Sequence, residues 1–329
     1  MDIARSKIDV SVVLVHYRTY ALTRNCIKSI ISLTRHLDFE ILLIDNMSSD
    51  GSVEALEAEF PGVRIIRNKH NSGFASACNI GMSCAIGRYF FIINSDAYLV
   101  ENSMVSMVNR MKERQEVDVL GCMIKNSDGE VQASILSEDS PSFFSLMKGI
   151  FLESALGVLM KKLLRKSFVP AYDHSVEQKV VVCSGACLMI RREVFEKAGG
   201  FDPDFFLYCE ETEWMRERLN GRFGVFYTPQ TYVIHDSGGS GGGNSRLQNE
   251  LSYFLYLYKV NPLYYMVYLF GYFFILLTWL PVVFLKEGFS EFKKYSKSRL
   301  RVTYLAATRI LLYSRKFGSR GDDYLKYLD

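Results

Sequence analysis

The fold is decided by residues 10–45, which read VSVVLVHYRTYALTRNCIKSIISLTRHLDFEILLID. A short apolar run is followed by a segment in which apolar residues recur every three or four positions, and a second apolar run closes the stretch. This order predicts a strand, a helix and a second strand. The alternation continues in the apolar runs 63–67 and 88–94 and in the helical segments 51–58, 74–86 and 101–114. The sequence therefore predicts an α/β domain with a mostly parallel sheet and helices on both faces.

Ligands of such sheets bind beyond the carboxyl ends of the strands, so the residues that end each apolar run are candidates for a site. These residues are polar or aromatic: His16 and Tyr17, Asp45 and Asn46, Asn68 to Asn71, and Asn94 to Asp96. Four apolar residues, 90–93, lead directly into the last group. A buried strand that ends in a carboxylate usually needs that carboxylate for a function, which makes Asp96 the leading candidate.

Two later segments add groups that suit the departure of a phosphate. Glu210, Glu211 and Glu213 precede an amphipathic helix, although acidic residues in a first turn also stabilise the helix dipole. A predicted strand ends at His235 and leads into the glycine-rich stretch 238–245, yet a lone histidine is more often an ordinary hydrogen-bonded side chain. The acidic cluster and His235, together with Asp96, suit a site in which Mg²⁺ bridges a carboxylate and the substrate phosphates. A second carboxylate would then act as the base.

The remaining runs give a weaker pattern. Residues 119–124, 179–183 and 186–190 are predicted to be strands. The apolar segment 143–166, which has a basic end, is predicted to be an amphipathic helix that either covers the sheet or faces an acceptor or a membrane surface.

Composition narrows the class of protein. The chain has 329 residues, of which 49% are hydrophobic and 23% charged, as expected for a folded protein. Its seven cysteines are scattered without a CxxC pair, which favours reduced thiols in a cytosolic compartment. The first apolar run is too short for a secretory signal. No GxGxxG turn follows the first strand, which disfavours an NAD-dependent oxidoreductase, and a P-loop is also absent.

Residues 261–285 carry no charge, and residues 286–329 hold 11 Lys/Arg against 5 Asp/Glu. The apolar run is long enough to cross a bilayer, but one crossing would export the basic residues against the positive-inside tendency. We therefore expect a re-entrant hairpin broken near Gly271 or Pro281, or a helix at the interface with its basic tail on anionic lipid. A tyrosine-rich helix packed on the domain or in a dimer is the alternative.

In their order along the chain, these motifs resemble family 2 of the inverting glycosyltransferases, which have the GT-A fold, and especially the bacterial rhamnosyltransferase-like members. The likeness runs from about Val10 to Ser240. VSVVLVHYRT resembles the strand whose end stacks on the nucleobase, which implies Tyr17. IDNMSSDGS resembles the nucleoside-binding segment, which implies Asp45. NSGFASACNIG resembles the donor-binding NxGFAxxxNxG stretch, which implies donor contacts from Asn71, Gly73, Phe74, Asn79 and Gly81.

The same resemblance implies the chemical roles. NSD resembles a variant DXD motif, in which Ser95 lies at the donor and Asp96 ligates a divalent cation, Mg²⁺ or Mn²⁺. Where the family usually has Glu-Asp, this chain has Glu210-Glu211, and the base role falls to Glu211, one methylene longer than the usual Asp. HDSGGS resembles the HxxGxS segment, whose histidine approaches the metal or the diphosphate, which implies His235. Direct displacement by the acceptor hydroxyl inverts the anomeric carbon.

The resemblance implies a metal-dependent transfer of a sugar from a nucleotide-sugar donor to a lipid-linked saccharide acceptor during cell-surface polysaccharide assembly. The first expected donor is dTDP-rhamnose, and a UDP-hexose is the alternative. The expected location is the cytoplasmic face of the bacterial inner membrane, bound peripherally or monotopically. No nucleic-acid partner is expected, and a homo-oligomer is left open.

The expected domains are a GT-A domain over 1–245, with a donor half (1–100) and an acceptor half (101–245), and a helical membrane-associating region over 246–329. Two other readings remain. A glycoside hydrolase also uses two carboxylates but needs no nucleoside platform. A catalytically inactive, membrane-bound carbohydrate-binding protein is disfavoured because Asp96 and Glu211 are both present.

Overall fold

The computed structural model of the chain describes residues 8–136, 141–164, 172–236 and 245–316. By their contacts, these residues form two units. Among the described residues, the first unit combines 8–136 with 173–236, and the second combines 141–164 with 246–316. Residues 141–164, which belong to the expected acceptor half, pack with α10.

The strands of the first unit are β1 (Val10–His16), β2 (Phe39–Asp45), β3 (Arg64–Arg67), β4 (Tyr89–Ile93), β5 (Ala97–Leu99), β6 (Val119–Lys125), β7 (Gln178–Lys179), β8 (Cys187–Arg191) and β9 (Val225–His235). The helices of the chain are α1 (Tyr20–Leu33), α2 (Ser52–Glu59), α3 (Gly73–Cys84), α4 (Ser103–Glu113), α5 (Phe143–Glu153), α6 (Ala155–Leu164), α7 (Arg192–Ala198), α8 (Glu210–Glu213), α9 (Ser245–Val260) and α10 (Pro262–Lys316). A π-helical segment, Trp214–Leu219, continues from α8.

One sheet holds all the strands in the order β3-β2-β1-β4-β8-β6-β9-β5, with β7 paired to β9. The first four strands along this order are parallel. Beyond β4 the sheet is mixed, because β8 runs antiparallel to both β4 and β6 while β6 and β9 are parallel. The predicted α/β architecture is therefore confirmed, with its parallel part in the first half of the chain.

Helices cover both faces of this sheet. Val12 and Leu14 of β1 share one hydrophobic cluster with α1 and α4. Val13 points the other way and packs against Gly81 of α3. Strands buried on both faces need apolar side chains at successive positions, which explains why β1 and β4 show no alternation with polar residues.

One strand prediction is wrong. The apolar run 179–183 is predicted to be a strand, but ladder pairing covers only Gln178–Lys179. Beyond it, Val180 donates its N–H to the Val225 carbonyl, and Cys183 forms a single bridge with Ile135. The segment leaves the ladder because its next partners are the Ser134 carbonyl and the Met215 sulfur rather than a neighbouring strand.

In the second unit, α5 and α6 pack on α10. A capping box between Ser142 and Ser145 begins α5, and the helix ends at Ser154, whose ψ of 156° is extended. Ala155 donates its N–H to Thr278 Oγ1 (3.2 Å), and Trp279 donates to the Glu153 carbonyl (2.9 Å). The predicted single helix over 143–166 is therefore two helices within its described part.

Helix α10 is bent. Tyr265 donates its hydroxyl to the carbonyl of Ala306 at 2.9 Å, although 41 residues separate them. A straight helix would place them about 60 Å apart, so α10 folds back between these residues. The helix assignment runs through Gly271 and includes Pro281. Among the described residues, Pro262–Leu285 is the one helical segment long and apolar enough to cross a membrane.

Candidate active site

The site is built around a turn between β4 and β5. Asn94 donates its N–H to the Ala186 carbonyl (3.0 Å), and Ala97 donates to the Asn94 carbonyl (3.1 Å). The turn leaves Asp96 only 3% exposed. Because β5 pairs antiparallel with β9, Ala97 lies opposite His235, and the predicted histidine is brought to the predicted carboxylate.

Asp96 Oδ1 lies 3.3 Å from His235 Nε2. The other side of the ring contacts Gln132, whose amide nitrogen donates to the His235 carbonyl (2.6 Å). That bond leaves the amide oxygen of Gln132 facing His235 Nδ1 (3.2 Å), so Nδ1 carries a proton. Nε2 faces the Asp96 carboxylate and also lies 3.4 Å from the Asn94 amide nitrogen, and a cation bound by both Asp96 and Nε2 would stabilise this arrangement.

The side chains of Asp96 and His235 fit a divalent cation whose remaining ligands come from the substrate. Within the described ranges, no group of three or more His, Cys, Asp and Glu residues is arranged to hold a metal. Mg²⁺ is usually held by one or two carboxylates together with substrate phosphates and water, and Mn²⁺ also accepts imidazole nitrogen. The donor set of Asp96 and His235 therefore suits an ion that binds together with a diphosphate.

The acidic pair lies at the start of α8. Two residues with positive φ, Tyr208 (71°) and Cys209 (68°), precede it, and such backbone is uncommon outside glycine and concentrates at functional sites. Glu210 is buried, and Glu211 is partly exposed with its side chain packed against Gly185. Gly185 is followed by Ala186, which bonds Asn94 of the β4–β5 turn. Glu211 and Asp96 therefore lie at the same end of β4 and β8.

The two glutamates have different electrostatic environments. Burial, with the adjacent Glu211 carboxylate, raises the pKa of Glu210 well above its usual range. Burial also raises the pKa of Glu211, but the backbone N–H groups of Glu211 and Thr212 oppose this. A pair of close carboxyls holds its first proton on the more buried member. Glu210 is therefore the protonated partner, and Glu211 carries the charge that a general base needs.

The loop after β1 also reaches this turn. Ser95 Oγ accepts a hydrogen bond from Thr19 Oγ1 (3.4 Å). Tyr17 lies two residues before Thr19, with the Arg18 guanidinium 5.0 Å from its ring centroid. Asp45 ends the neighbouring strand β2 and accepts the Ser48 N–H (2.9 Å). Tyr17, Asp45, Ser95 and Asp96 therefore all lie at the carboxyl-terminal edge of the parallel strands.

The start of α3 adjoins the segment that leads to α8. Asn71 Oδ1 accepts the N–H of Gly73 (3.1 Å), and Phe74 donates its N–H to the Phe206 carbonyl (2.6 Å). Gly73 has a φ of 78°, and a Cβ there would lie 2.8 Å from Phe206 Cα. Only glycine permits this conformation and this approach without strain. The predicted donor segment is thus held by a backbone contact against the segment that leads to α8.

Two residues of the donor motif contribute to packing. Asn79 donates its amide to the Phe201 carbonyl (2.7 Å) and accepts the Phe201 N–H (2.8 Å). Gly81 lies against the sheet, where a Cβ would come 2.8 Å from Ile44 Cδ1. Asn71, Gly73 and Phe74 lie at the N-terminal end of α3, whereas Asn79 and Gly81 hold the helix against its neighbours.

The family model described as glycosyl transferase family 2 matches residues 11–199, more than half of the chain. The chain belongs to glycosyl transferase family 2. A curated relative, the N-acetylglucosaminyl-diphospho-decaprenol L-rhamnosyltransferase of Mycobacterium tuberculosis, is 28% identical over an alignment of 229 positions that covers 64% of this chain and 71% of the relative. The predicted resemblance to a bacterial rhamnosyltransferase of this family is confirmed, and the protein is a glycosyltransferase.

Two solved structures share the fold of this family 2 enzyme. A mannosyltransferase from Pyrobaculum calidifontis, in complex with GDP-Man and Mn²⁺, has a TM-score of 0.55 at 12% identity and covers 93% of this chain and 88% of its own. GalNAc-T7 with UDP, GalNAc and Mn²⁺ has a TM-score of 0.53 at 18% identity and covers 77% of this chain and 48% of its own. Both likenesses concern the fold, and the predicted GT-A fold is confirmed.

Sequence reasoning missed two contributors to the site of this glycosyltransferase. Gln132 orients His235 through both ends of its amide, and Gly185 supports Glu211. The Ser184-Gly185 pair is visible between two apolar runs, but it indicates only a turn. Residues 237–244, which contain the glycine-rich loop and the rest of the HDSGGS motif except for His235 and Asp236, lie outside the described residues.

We expect Glu210→Gln to flatten the dependence of stability on pH. Because the pKa of Glu210 is raised in the folded enzyme, the unfolded chain releases this proton first as the pH rises above 4.5. The stability from Glu210 is therefore present below pH 4.5 and is lost as the pH rises toward the folded pKa. Thermal unfolding at pH 5 and pH 8 should show a smaller fall in Tm for the variant. Glu217→Gln, at an exposed position, should behave like the parent; equal slopes for Glu210→Gln and the parent would contradict the assignment.

Asn79→Ala should destabilise the enzyme by about 2 kcal/mol, because two partly buried amide hydrogen bonds to Phe201 are lost at about 1 kcal/mol each. Urea unfolding checks this value. Asn109→Ala, at an exposed position on α4, is the matched control in a helix. If Asn79→Ala instead left stability unchanged and raised KM for the donor, the residue would contact the donor rather than pack on Phe201.

Proposed function

We propose that this enzyme transfers a sugar from a nucleoside diphosphate to a saccharide acceptor with inversion, using Mg²⁺ or Mn²⁺ at Asp96 and His235. The observation that carries the proposal is the 3.3 Å approach of Asp96 Oδ1 to His235 Nε2 at the end of β4. When bound there, the cation neutralises the negative charge that develops on the departing diphosphate. Gln132 keeps a proton on Nδ1, so Nε2, which faces Asp96, is the ring nitrogen that would bind the cation.

Glu211 is the proposed general base. It accepts the proton of the acceptor hydroxyl as that oxygen bonds to the anomeric carbon, and the bond from this carbon to the diphosphate oxygen breaks on the opposite face. Glu210 retains its own proton, because burial beside Glu211 raises its pKa. Only one of these two adjacent glutamates is then charged, and the backbone N–H groups of Glu211 and Thr212 stabilise that charge.

The donor is proposed to bind along the edge formed by the loops after β1, β2 and β4. Tyr17 is the base platform, and Asp45 binds the base or the ribose. Asn71, Gly73, Phe74, Asn79 and Ser95 complete the predicted set, with Asn79 acting through the position of α3. In this assignment residues 1–100 serve the donor and residues 101–245 serve the acceptor.

The substrate assignment is supported by a relative. The mycobacterial relative is named as a rhamnosyltransferase acting on a decaprenol-linked saccharide. We therefore propose dTDP-rhamnose as the first donor to test, with UDP-hexoses next, and a lipid-linked saccharide of cell-surface polysaccharide assembly as the acceptor. The enzyme would work at the cytoplasmic face of the bacterial inner membrane, where nucleotide sugars are available.

Monotopic attachment through α10 agrees with its geometry. Pro262–Leu285 has a mean hydropathy of 2.1, and only 17% of its most apolar window is buried. The contact of Tyr265 with Ala306 places the two arms of α10 side by side. The returning arm carries a run of basic residues, namely Lys293, Lys294, Lys297, Arg299 and Arg301. Such an arm suits a surface of anionic lipid and does not suit the bilayer core.

A panel of nucleotide sugars tests the proposed function. The purified full chain is mixed with each donor, with and without a polyprenyl-diphosphate saccharide, in Mn²⁺ or in chelator. Release of nucleoside diphosphate should require both acceptor and metal. Release that proceeds equally without acceptor would indicate hydrolysis, and binding of saccharide without release from any donor would indicate a carbohydrate-binding protein.

A further inference from the structure

Helices α5 and α6 expose a strip of large apolar side chains, called here the α5–α6 strip. Its members are Phe143, Phe144, Met147, Phe151, Leu156 and Leu159. Phe144 is the most exposed of them, at 83%. Spacings of three and four residues place Phe144, Met147 and Phe151 on one face of α5.

The opposite face of α5 is already occupied. Leu146 and Ile150 are buried. Ile150 lies against Gly271 of α10, where a Cβ would come within 2.6 Å of Ile150 Cγ1. Helices α5 and α10 therefore pack with Ile150 of α5 against Gly271 of α10. The α5–α6 strip is thus the face of α5 and α6 that this packing leaves exposed.

Helix α10 exposes apolar residues beside the same contact. Phe270, directly before Gly271, is 69% exposed, and Phe273, Phe274 and Leu277 follow it on the exposed face. The apolar strip of α5 and that of α10 thus border one helix–helix contact. Monomeric soluble proteins rarely expose contiguous apolar patches larger than a few hundred Å². A phenylalanine that is about half exposed presents on the order of 100 Å², so several adjoining ones reach that size.

Charge favours a lipid surface over a second copy of the chain. Residues 143–164 contain Lys148, Lys161 and Lys162 against the single acid Glu153. Lys148 and Lys162 are exposed. Lysines at the border of an apolar strip can extend to anionic headgroups while their stems cover apolar surface. A two-fold dimer through the strip would instead bring identical basic faces together.

We propose that α5 and α6 insert the α5–α6 strip into one leaflet of an anionic bilayer, beside the apolar arm of α10. The helices have 11 and 10 residues, too few to cross a bilayer, so they lie in the plane of the interface. This inference rests on the proposed attachment of α10 and not on the chemistry of sugar transfer. It makes the strip a second membrane contact that orients the second unit on the lipid surface.

A fluorescent reporter tests the insertion. Phe144→Cys in the full chain is labelled with an environment-sensitive NBD probe, and Ile31→Cys on α1, 46% exposed in the parent, is the matched control. Parent protein treated with the same reagent corrects for the native cysteines. Vesicles of phosphatidylglycerol and phosphatidylethanolamine are added, with or without a spin-labelled lipid that quenches NBD. We expect a blue shift and at least twofold quenching at position 144 and neither at position 31.

The outcomes separate the inference from the attachment of α10. If the labelled protein floats with the vesicles while the probe at 144 stays exposed to water, the strip is not a lipid contact and the attachment through α10 stands. If the protein does not float, the insertion of the α5–α6 strip and the attachment through α10 are both overturned. The proposed sugar transfer does not depend on this result. A blue shift at 144 that appears without vesicles and grows with protein concentration would show that a second copy covers the strip.

Discussion

Replacement of Asp96 by Asn is expected to lower kcat/KM for sugar transfer by about 10³-fold or more, with no remaining response to Mn²⁺. A metal that neutralises the leaving group stabilises the transition state by several kcal/mol. A 10³-fold loss of kcat/KM corresponds to about 4 kcal/mol. Asn keeps the size of Asp96 in its buried turn but removes the charge. Initial rates at saturating acceptor and varied Mn²⁺ measure the effect.

Two comparisons make this result specific. Asp128→Asn, in an exposed turn of the same unit, removes the same charge and should retain parental activity. His235→Gln should show a smaller loss and require more Mn²⁺, since one ligand remains. Thermal unfolding confirms that each variant is folded. An Asp96→Asn enzyme that kept the parental rate and metal dependence would remove Asp96 from the metal site.

Replacement of Glu211 by Gln is expected to lower kcat by about 10² to 10⁴-fold, the range for loss of a general base. The donor should still bind with the parental Kd, because Glu211 is assigned to the acceptor proton and not to the diphosphate. Glu211→Asp should recover part of the rate. Single-turnover rates and equilibrium donor binding separate the two effects, and Glu217→Gln is the exposed control.

The pH profile adds a second signature of Glu211. The base must be ionised, so kcat/KM should rise with pH through the pKa of Glu211. Burial raises that pKa above its usual 4.5, so the rising limb should lie above pH 4.5. Glu211→Gln should lose this limb. If the limb were retained in the variant, the base would be another group.

The parallel half of the fold was predictable because its signal is local. Strands such as β4, buried on both faces, leave continuous apolar runs, and α1 to α4 leave helical periods of matching length. The antiparallel half depends on long-range pairing. β8 takes its place between β4 and β6 through contacts that no local pattern encodes, and the run at 179–183 leaves the ladder for the same reason. The bend of α10 likewise depends on packing between distant residues, Tyr265 and Ala306.

The active site likewise has features with a local sequence signal and features that depend on long-range contacts. Asp96 follows the apolar run of β4 and His235 ends β9, and this made both visible as candidates in the sequence. Their approach depends on the antiparallel pairing of β5 with β9. Gln132, which fixes the tautomer of His235, lies 103 residues away in an irregular segment and carries no motif. The protonated state of Glu210 depends on burial, which the sequence EETE does not reveal.

Equilibrium binding of Mn²⁺ tests the central claim most directly. Loss of the free-ion electron paramagnetic resonance signal is followed for the parent, Asp96→Asn, His235→Gln and Asp128→Asn, each with and without nucleoside diphosphate. We predict that the parent and Asp128→Asn bind Mn²⁺ much more tightly with the diphosphate present. Asp96→Asn should weaken this binding at least about tenfold, which is about 1.4 kcal/mol, and His235→Gln should weaken it less. Equal Mn²⁺ affinity in the parent and Asp96→Asn would contradict the account.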